Sequence, residues 1–101
     1  MWQSIDLHFA ADHPTAAGHF PFNPIIPGAL VLDAVVAAIA DAAANGAVMI
    51  RAAKFLHPIC PGEGLNLRWQ YLRPGKVKFE CQLAGRGLAV SGMLEIRPIL
   101  V

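Results

Sequence analysis

Three residues stand where their types and spacing suit proton transfer beside a polarised carbonyl. His19 lies in the stretch Ala17-Gly18-His19-Phe20-Pro21, where an imidazole on a loop can act as a base near neutral pH. Asp33 stands alone in the apolar run Ala29-Leu30-Val31-Leu32-Asp33-Ala34-Val35-Val36. A carboxylate buried in such a run is costly unless it is paired, hydrogen-bonded or neutral. Burial also favours the protonated form that a general acid needs. On spacing alone, an Asp33 that faces solvent or ties down a loop amide explains the residue equally well. Gly28 precedes the same run. At a helix start its N–H has no intrahelical acceptor, and the lack of a side chain lets a ligand reach the backbone. That N–H is a candidate donor to a carbonyl oxygen gaining negative charge; a plain helix-start glycine is the simpler account.

Other polar candidates carry less. His8, His13 and His57 read as surface or core-satisfied imidazoles, and so would His19 taken by itself. His8, His13 and His19 have no recognised metal-ligand spacing. Cys60 and Cys81 form no CxxC pair, so both are expected as reduced, small core residues.

The elements that must position these groups follow from patterning. Ile5, Leu7 and Phe9 alternate with polar residues and predict a strand over about Ser4 to Phe9. A loop rich in Pro, Gly, Asp and His then runs from Ala10 to Pro27. Its end, Pro24-Ile25-Ile26-Pro27-Gly28, is extended because each proline disfavours helix in the residue before it; Pro27 also suits a helix entry. A helix is expected from about Gly28 to Ala44, closed by Asn45-Gly46. It is apolar on every face and so is expected to be buried all round. Four strands in a meander follow: Ala47 to Phe55, then Leu65 to Tyr71, then Lys76 to Gln82, then Leu88 to Ile96. Pro61-Gly62-Glu63-Gly64, Pro74-Gly75 and Gly85-Arg86-Gly87 supply the turns. One helix held by an antiparallel sheet is an α+β fold, and the hot-dog fold is the arrangement that wraps a sheet around one long central apolar helix.

Composition narrows the function. The chain has 101 residues and is 55% hydrophobic. That size fits a single domain over 1–101, and the surplus of apolar residues predicts a partner surface, with a homodimer as the default. The net charge of +1 gives no field that would favour nucleic acid or a membrane surface. The longest apolar run is interrupted by Asp33 and Asp41 and is short for a bilayer span. Met1-Trp2-Gln3-Ser4 does not start a signal peptide, so a cytoplasmic location is expected.

Gly18-His19-Phe20-Pro21 and Pro24-Ile25-Ile26-Pro27-Gly28-Ala29-Leu30-Val31-Leu32-Asp33-Ala34 together resemble the signature of the 3-hydroxyacyl-acyl-carrier-protein dehydratases. Lys54-Phe55, Pro58 and Pro61-Gly62-Glu63 resemble the strand and turn that follow the helix in that family. The resemblance implies a hot-dog homodimer with two sites at the interface. His19 would remove the C2 proton, and Asp33 of the other subunit would help the 3-hydroxyl leave as water. Gly28 would polarise the thioester carbonyl, with Phe20 lining the substrate and no cofactor involved. The partner would be an acyl carrier protein bearing a 3-hydroxyacyl thioester. The resemblance also suggests a cis His19–Phe20 peptide. Asp33 in place of the usual Glu is similar to the branch that also isomerises the double bond. The wording of residues 22–26 looks like dehydratases of aryl-polyene or polyketide-like synthesis.

Two other readings stand beside this one. A hot-dog thioesterase also carries an acid on the central helix. A non-catalytic acyl-binding subunit of a heterodimer would keep the fold alone. Arg68, Arg73, Lys76 and Lys78 form the densest basic stretch, either a landing site for an acidic carrier or simply solvent-facing strand positions.

Overall fold

A computed structural model of the chain describes residues 1–9, 25–43 and 46–98. Along these, β1 (Gln3–His8) leads to α1 (Gly28–Ala43), then β2 (Gly46–Phe55), β3 (Gly64–Arg73), β4 (Lys76–Leu83) and β5 (Gly87–Pro98). All strand pairings are antiparallel, and the sheet order is β1-β3-β4-β5-β2. One helix on a five-stranded antiparallel sheet is the expected α+β hot-dog architecture.

The turns form where glycine permits the backbone to reverse. Gly62, Gly75, Gly85 and Gly87 all have positive φ, between 74° and 86°, a region costly for residues with a Cβ. Between them, strict alternation sets the faces. Leu65, Leu67 and Trp69 on β3, and Val77, Phe79, Cys81 and Leu83 on β4, are buried. Arg68 and Glu80 lie opposite each other on the other face. They are joined there by a 2.8 Å bond from Arg68 Nε to Glu80 Oε1, with the guanidinium 4.4 Å from the Trp2 ring centre. The buried set joins Val31, Val35 and Ile39 of α1 in one core.

The order of strands departs from a four-strand meander. Only β3, β4 and β5 follow one another; β2 pairs with β5 at the far edge. Residues 56–63 must therefore carry the chain past β5 and β4. Three strand spacings amount to roughly 14 Å, within reach of this proline-bearing extended segment. It is fixed on the way: Leu56 N–H donates to Ala89 O at 2.7 Å, Ile26 N–H to Ile59 O at 2.7 Å, and Gly62 N–H to Phe9 O at 2.7 Å. β1 is the other edge, and its Ile5 is exposed rather than half-buried.

The helix departs from expectation as well. It is not enclosed all round by its own chain. Val31, Val35 and Ile39 are almost wholly buried, whereas Ala29, Asp33, Ala37 and Asp41 are exposed. A helix turns about 100° per residue, so the second row lies about 200° from the first. The sheet buries one stripe, and the opposite stripe has nothing from the described residues over it. Hydropathy misses this because alanine counts as apolar wherever it points.

Candidate active site

Pro27 and Gly28 set the start of α1. The Pro27 carbonyl accepts from Leu30 N–H at 3.0 Å and from Val31 N–H at 3.2 Å, which closes the first turn. No group among the described residues accepts the Gly28 N–H. The lead-in is held in place by the Ile26–Ile59 backbone bond, which ties the helix start to the segment after β2.

That tie builds a cleft of about 410 Å³ beside the helix start. Ile25, Ile26, Gly28 and Val31 form one wall, and residues 55–59 form the other. Nearly all of this described lining is aliphatic or aromatic, and among the described residues His57 is its one ionisable side chain. Phe55 closes on Gly28 directly: a Cβ built on Gly28 would lie 2.9 Å from the ring's Cζ and 3.0 Å from its Cε1. The ring is nonetheless half exposed, at 50%. Phe55 and His57 were not among the residues that spacing singled out. The available signal was the proline-bearing stretch 58–61 after a strand end, which marks a crossing rather than a hairpin.

Asp33 lies five residues after Gly28 on α1. That spacing is roughly 7.5 Å along the axis and a rotation of about 140°. The carboxyl therefore leaves the helix on a different side from the start-of-helix cleft, and it is exposed. Of the two placements that spacing left open for Asp33, the structure shows the solvent-facing one. His19 and Phe20, with the peptide between them, lie outside the described residues, so the structure does not bear on the His19–Asp33 pairing.

The remaining polar groups serve the scaffold. Glu63 accepts from Cys60 N–H at 2.7 Å and from Arg86 Nη1 at 2.9 Å. The Cys60 amide, and after it the Arg86 guanidinium, hold its carboxyl below the usual range. This fastens the Pro61-Gly62 turn under the crossing segment. Cys81 is fully buried, and burial pushes its thiol up to about 12; Cys60 is only half-buried, so the core placement expected of both holds fully for Cys81 alone. In the basic stretch, Lys76 pairs with Glu95 at 2.7 Å and Arg68 with Glu80, which leaves Arg73 and Lys78 exposed. Among the described residues no cluster could hold a metal ion, and no helix is long and apolar enough to cross a membrane.

A five-stranded antiparallel sheet packed against one central helix defines a hot-dog protein. A family model described as ApeI-like, ApeI dehydratase, matches residues 3–93. The chain belongs to the ApeI-like dehydratase family, related to the FabZ dehydratases. The FabZ 3-hydroxyacyl-[acyl-carrier-protein] dehydratase of Ehrlichia chaffeensis is 33% identical over 89 residues, which is 79% of this chain and 62% of that protein. The chain spans between about half and three-fifths of the length of such curated relatives. Among solved structures, an uncharacterized protein from Erwinia carotovora subsp. atroseptica superposes with a TM-score of 0.83 at 26% identity, over 97% of this chain and 84% of that one. The dehydratase heterocomplex ApeI:P from Xenorhabdus doucetiae superposes with a TM-score of 0.80 at 24% identity, over 94% and 86%.

Proposed function

We propose that the protein dehydrates 3-hydroxyacyl thioesters held on an acyl carrier protein to trans-2-enoyl thioesters, in fatty-acid or polyketide-like synthesis. In this reading the Gly28 N–H donates to the thioester carbonyl, where enolate character develops when the C2 proton leaves. One such preorganised donor is worth roughly 3–4 kcal/mol of barrier. His19 takes the C2 proton. Asp33 of a second subunit protonates the departing 3-hydroxyl, and water leaves. Phe20, next to the base, lines the bound chain. An acid and a base in place contribute about 10²–10⁴-fold. The setting we propose is cytoplasmic, in keeping with the free thiols of Cys60 and Cys81.

The observation that carries this reading is the geometry of α1. An amide with no acceptor among the described residues opens the helix beside an apolar cleft, while Asp33 is exposed on α1 about 140° round from Gly28. An acid so placed suits a neighbouring subunit's site better than its own. The test is incubation with a panel of 3-hydroxyacyl carrier thioesters, read by mass. Loss of water with the thioester intact supports dehydration; release of free thiol instead supports the thioesterase reading.

A second reading concerns the partner. The similar ApeI:P assembly is a heterocomplex. The uncovered stripe of α1 would serve a non-identical hot-dog subunit as well as a second copy. Native mass spectrometry of the isolated chain separates the two: a stable homodimer favours self-association, and a monomer favours a different partner.

A further inference from the structure

We infer that the outer edge of β1 is an association surface in its own right, where β1 of one chain pairs antiparallel with β1 of a second copy about a two-fold axis at Ile5. The inference does not depend on the reaction proposed above. β1 closes one side of the sheet: it pairs with β3 over its whole length without a register shift, and no other described strand lies beside it. Such an edge presents a row of unpaired N–H and C=O groups to any strand that comes alongside. Proteins ordinarily blunt an edge with lysine, proline, a bulge or an inward-pointing charge. β1 reads Gln3-Ser4-Ile5-Asp6-Leu7-His8 and has none of these. Its positions toward the core, opposite Trp69, Leu67 and Leu65, are the uncharged Gln3, Ile5 and Leu7.

The residues of β1 match their own copy. Ile5 lies opposite the fully buried Leu67, yet it is 46% exposed, so its own chain leaves an apolar side chain uncovered at the edge. A two-fold at Ile5 sets it on the partner's Ile5, with Ser4 against the partner's Asp6 and Gln3 against the partner's Leu7. Directly opposed side chains in an antiparallel pair stand about 4.5–5.5 Å apart at Cβ. The two isoleucines cover each other at that distance. The Asp6 carboxylate already accepts from Asn66 Nδ2 through Oδ1 at 3.1 Å, and its other oxygen accepts from the opposing serine hydroxyl. A slip of one residue would set Ile5 against the partner's Asp6, and a two-fold at Asp6 would set carboxylate against carboxylate; both are worse. β2, the strand α1 packs against, is the opposite edge, four strand spacings or roughly 19 Å from β1. An interface on the exposed stripe of α1 and one on β1 can therefore form together, and each is a self-complementary two-fold contact. Pairing at β1 then doubles whatever assembly α1 makes.

Sedimentation velocity is run on wild type, I5K, I5E and an equal mixture of the two variants, from low micromolar to near-millimolar concentration, with melting curves to confirm folding. Wild type is expected to reach twice the mass of either charge variant at the same concentration. Each variant loses the isoleucine contact and gains like charges at the axis, so the concentration it needs to double rises by roughly tenfold or more. The mixture moves back towards wild type, because opposite charges then meet. As a second measurement, I5C and Q3C are made in a Cys60→Ser background and oxidised with copper phenanthroline. I5C should cross-link to its copy and Q3C, which faces the partner's Leu7, should not. Equal masses for wild type and every folded charge variant across the whole range overturn the inference, as does equal cross-linking of I5C and Q3C.

Discussion

If Asp33 serves a neighbour's site, two dead proteins should restore each other. His19→Ala and Asp33→Asn are prepared separately, and each homodimer is expected to lose activity by about 10²–10⁴-fold, since both of its sites lack the base or the acid. The two are then unfolded together and refolded as a mixture. The magnitude follows from the helix. Asp33 is on the stripe opposite Val31, Val35 and Ile39, and about 140° round from Gly28, so each chain lends its acid outward. In a mixed dimer one site draws His19 from one chain and Asp33 from the other and is intact; the second site lacks both. Random two-fold pairing makes about half of the dimers mixed, each with one working site of two, so activity should return to roughly a quarter of wild type. The assay is enoyl thioester formation followed by mass, with native mass spectrometry to count mixed dimers. Mixed dimers without recovery would refute a site shared across the interface. Full activity in either single variant would refute the role of that residue.

Further outcomes follow from individual contacts. Gly28→Ala puts a Cβ 2.9 Å from the Phe55 ring; kcat/KM should fall on every chain length, and part of the loss should return in the G28A/F55A double variant. Gly92→Ala sets a Cβ 2.3 Å from the Ala52 carbonyl oxygen and 2.6 Å from the Phe79 ring; urea unfolding should show a loss of about 3 kcal/mol, because backbone rather than a flexible side chain must give way. Glu63 has its carboxyl held below the usual value of 4.5, so its contribution is present above that pH and lost as pH falls through the lowered folded value; Glu63→Gln should flatten this acid limb of a stability–pH profile, and an unchanged limb would count against the Cys60 and Arg86 bonds. Cys60 should react with iodoacetamide in the native protein while Cys81, buried and with its thiol at about 12, should not react until the chain unfolds.

The ends of most elements were legible in the sequence, because the residues that stop a helix or turn a strand do so locally. Pro27-Gly28 opens α1, and glycines at 62, 75, 85 and 87 take positive φ at the turns. Alternation gave the faces of β3 and β4. It could not give strand neighbours, because a period of two fixes which side a residue faces and says nothing of what lies beside it; hence β2 at the far edge rather than next to β3. Asp33 and Gly28 were legible as unusual residues in an apolar segment. The cleft that Gly28 adjoins was not, because the end of β2 and residues 56–59 meet the helix start only through tertiary packing and the Ile26–Ile59 bond. The exposure of Asp33 was hidden for another reason: alanines at 29 and 37 raise hydropathy without covering anything.

Placing the acid on a neighbour's site also restricts what a partner can be. In the proposed reading Asp33 serves a neighbour's site, because it is exposed on α1 and stands roughly 7.5 Å along the axis and about 140° round from Gly28. On that reading a site with both takes two chains, and each chain gives one site its base and donor and the other site its acid. A second copy of this chain satisfies both sites at once. A non-identical hot-dog subunit satisfies the site built on this chain's His19 and Gly28 only if it carries its own outward-facing acid on the matching helix turn. It gains a site from this chain's Asp33 only if it carries its own base. A partner with neither residue would leave no intact site in the assembly, whatever the state of His19 and Asp33 here. Reading the two matching positions in a co-purifying subunit therefore predicts two, one or no active sites per pair. Titration with a mechanism-based inactivator, counted by mass, checks that number, and a count out of step with the partner's residues would show that acid and base belong to the same chain after all.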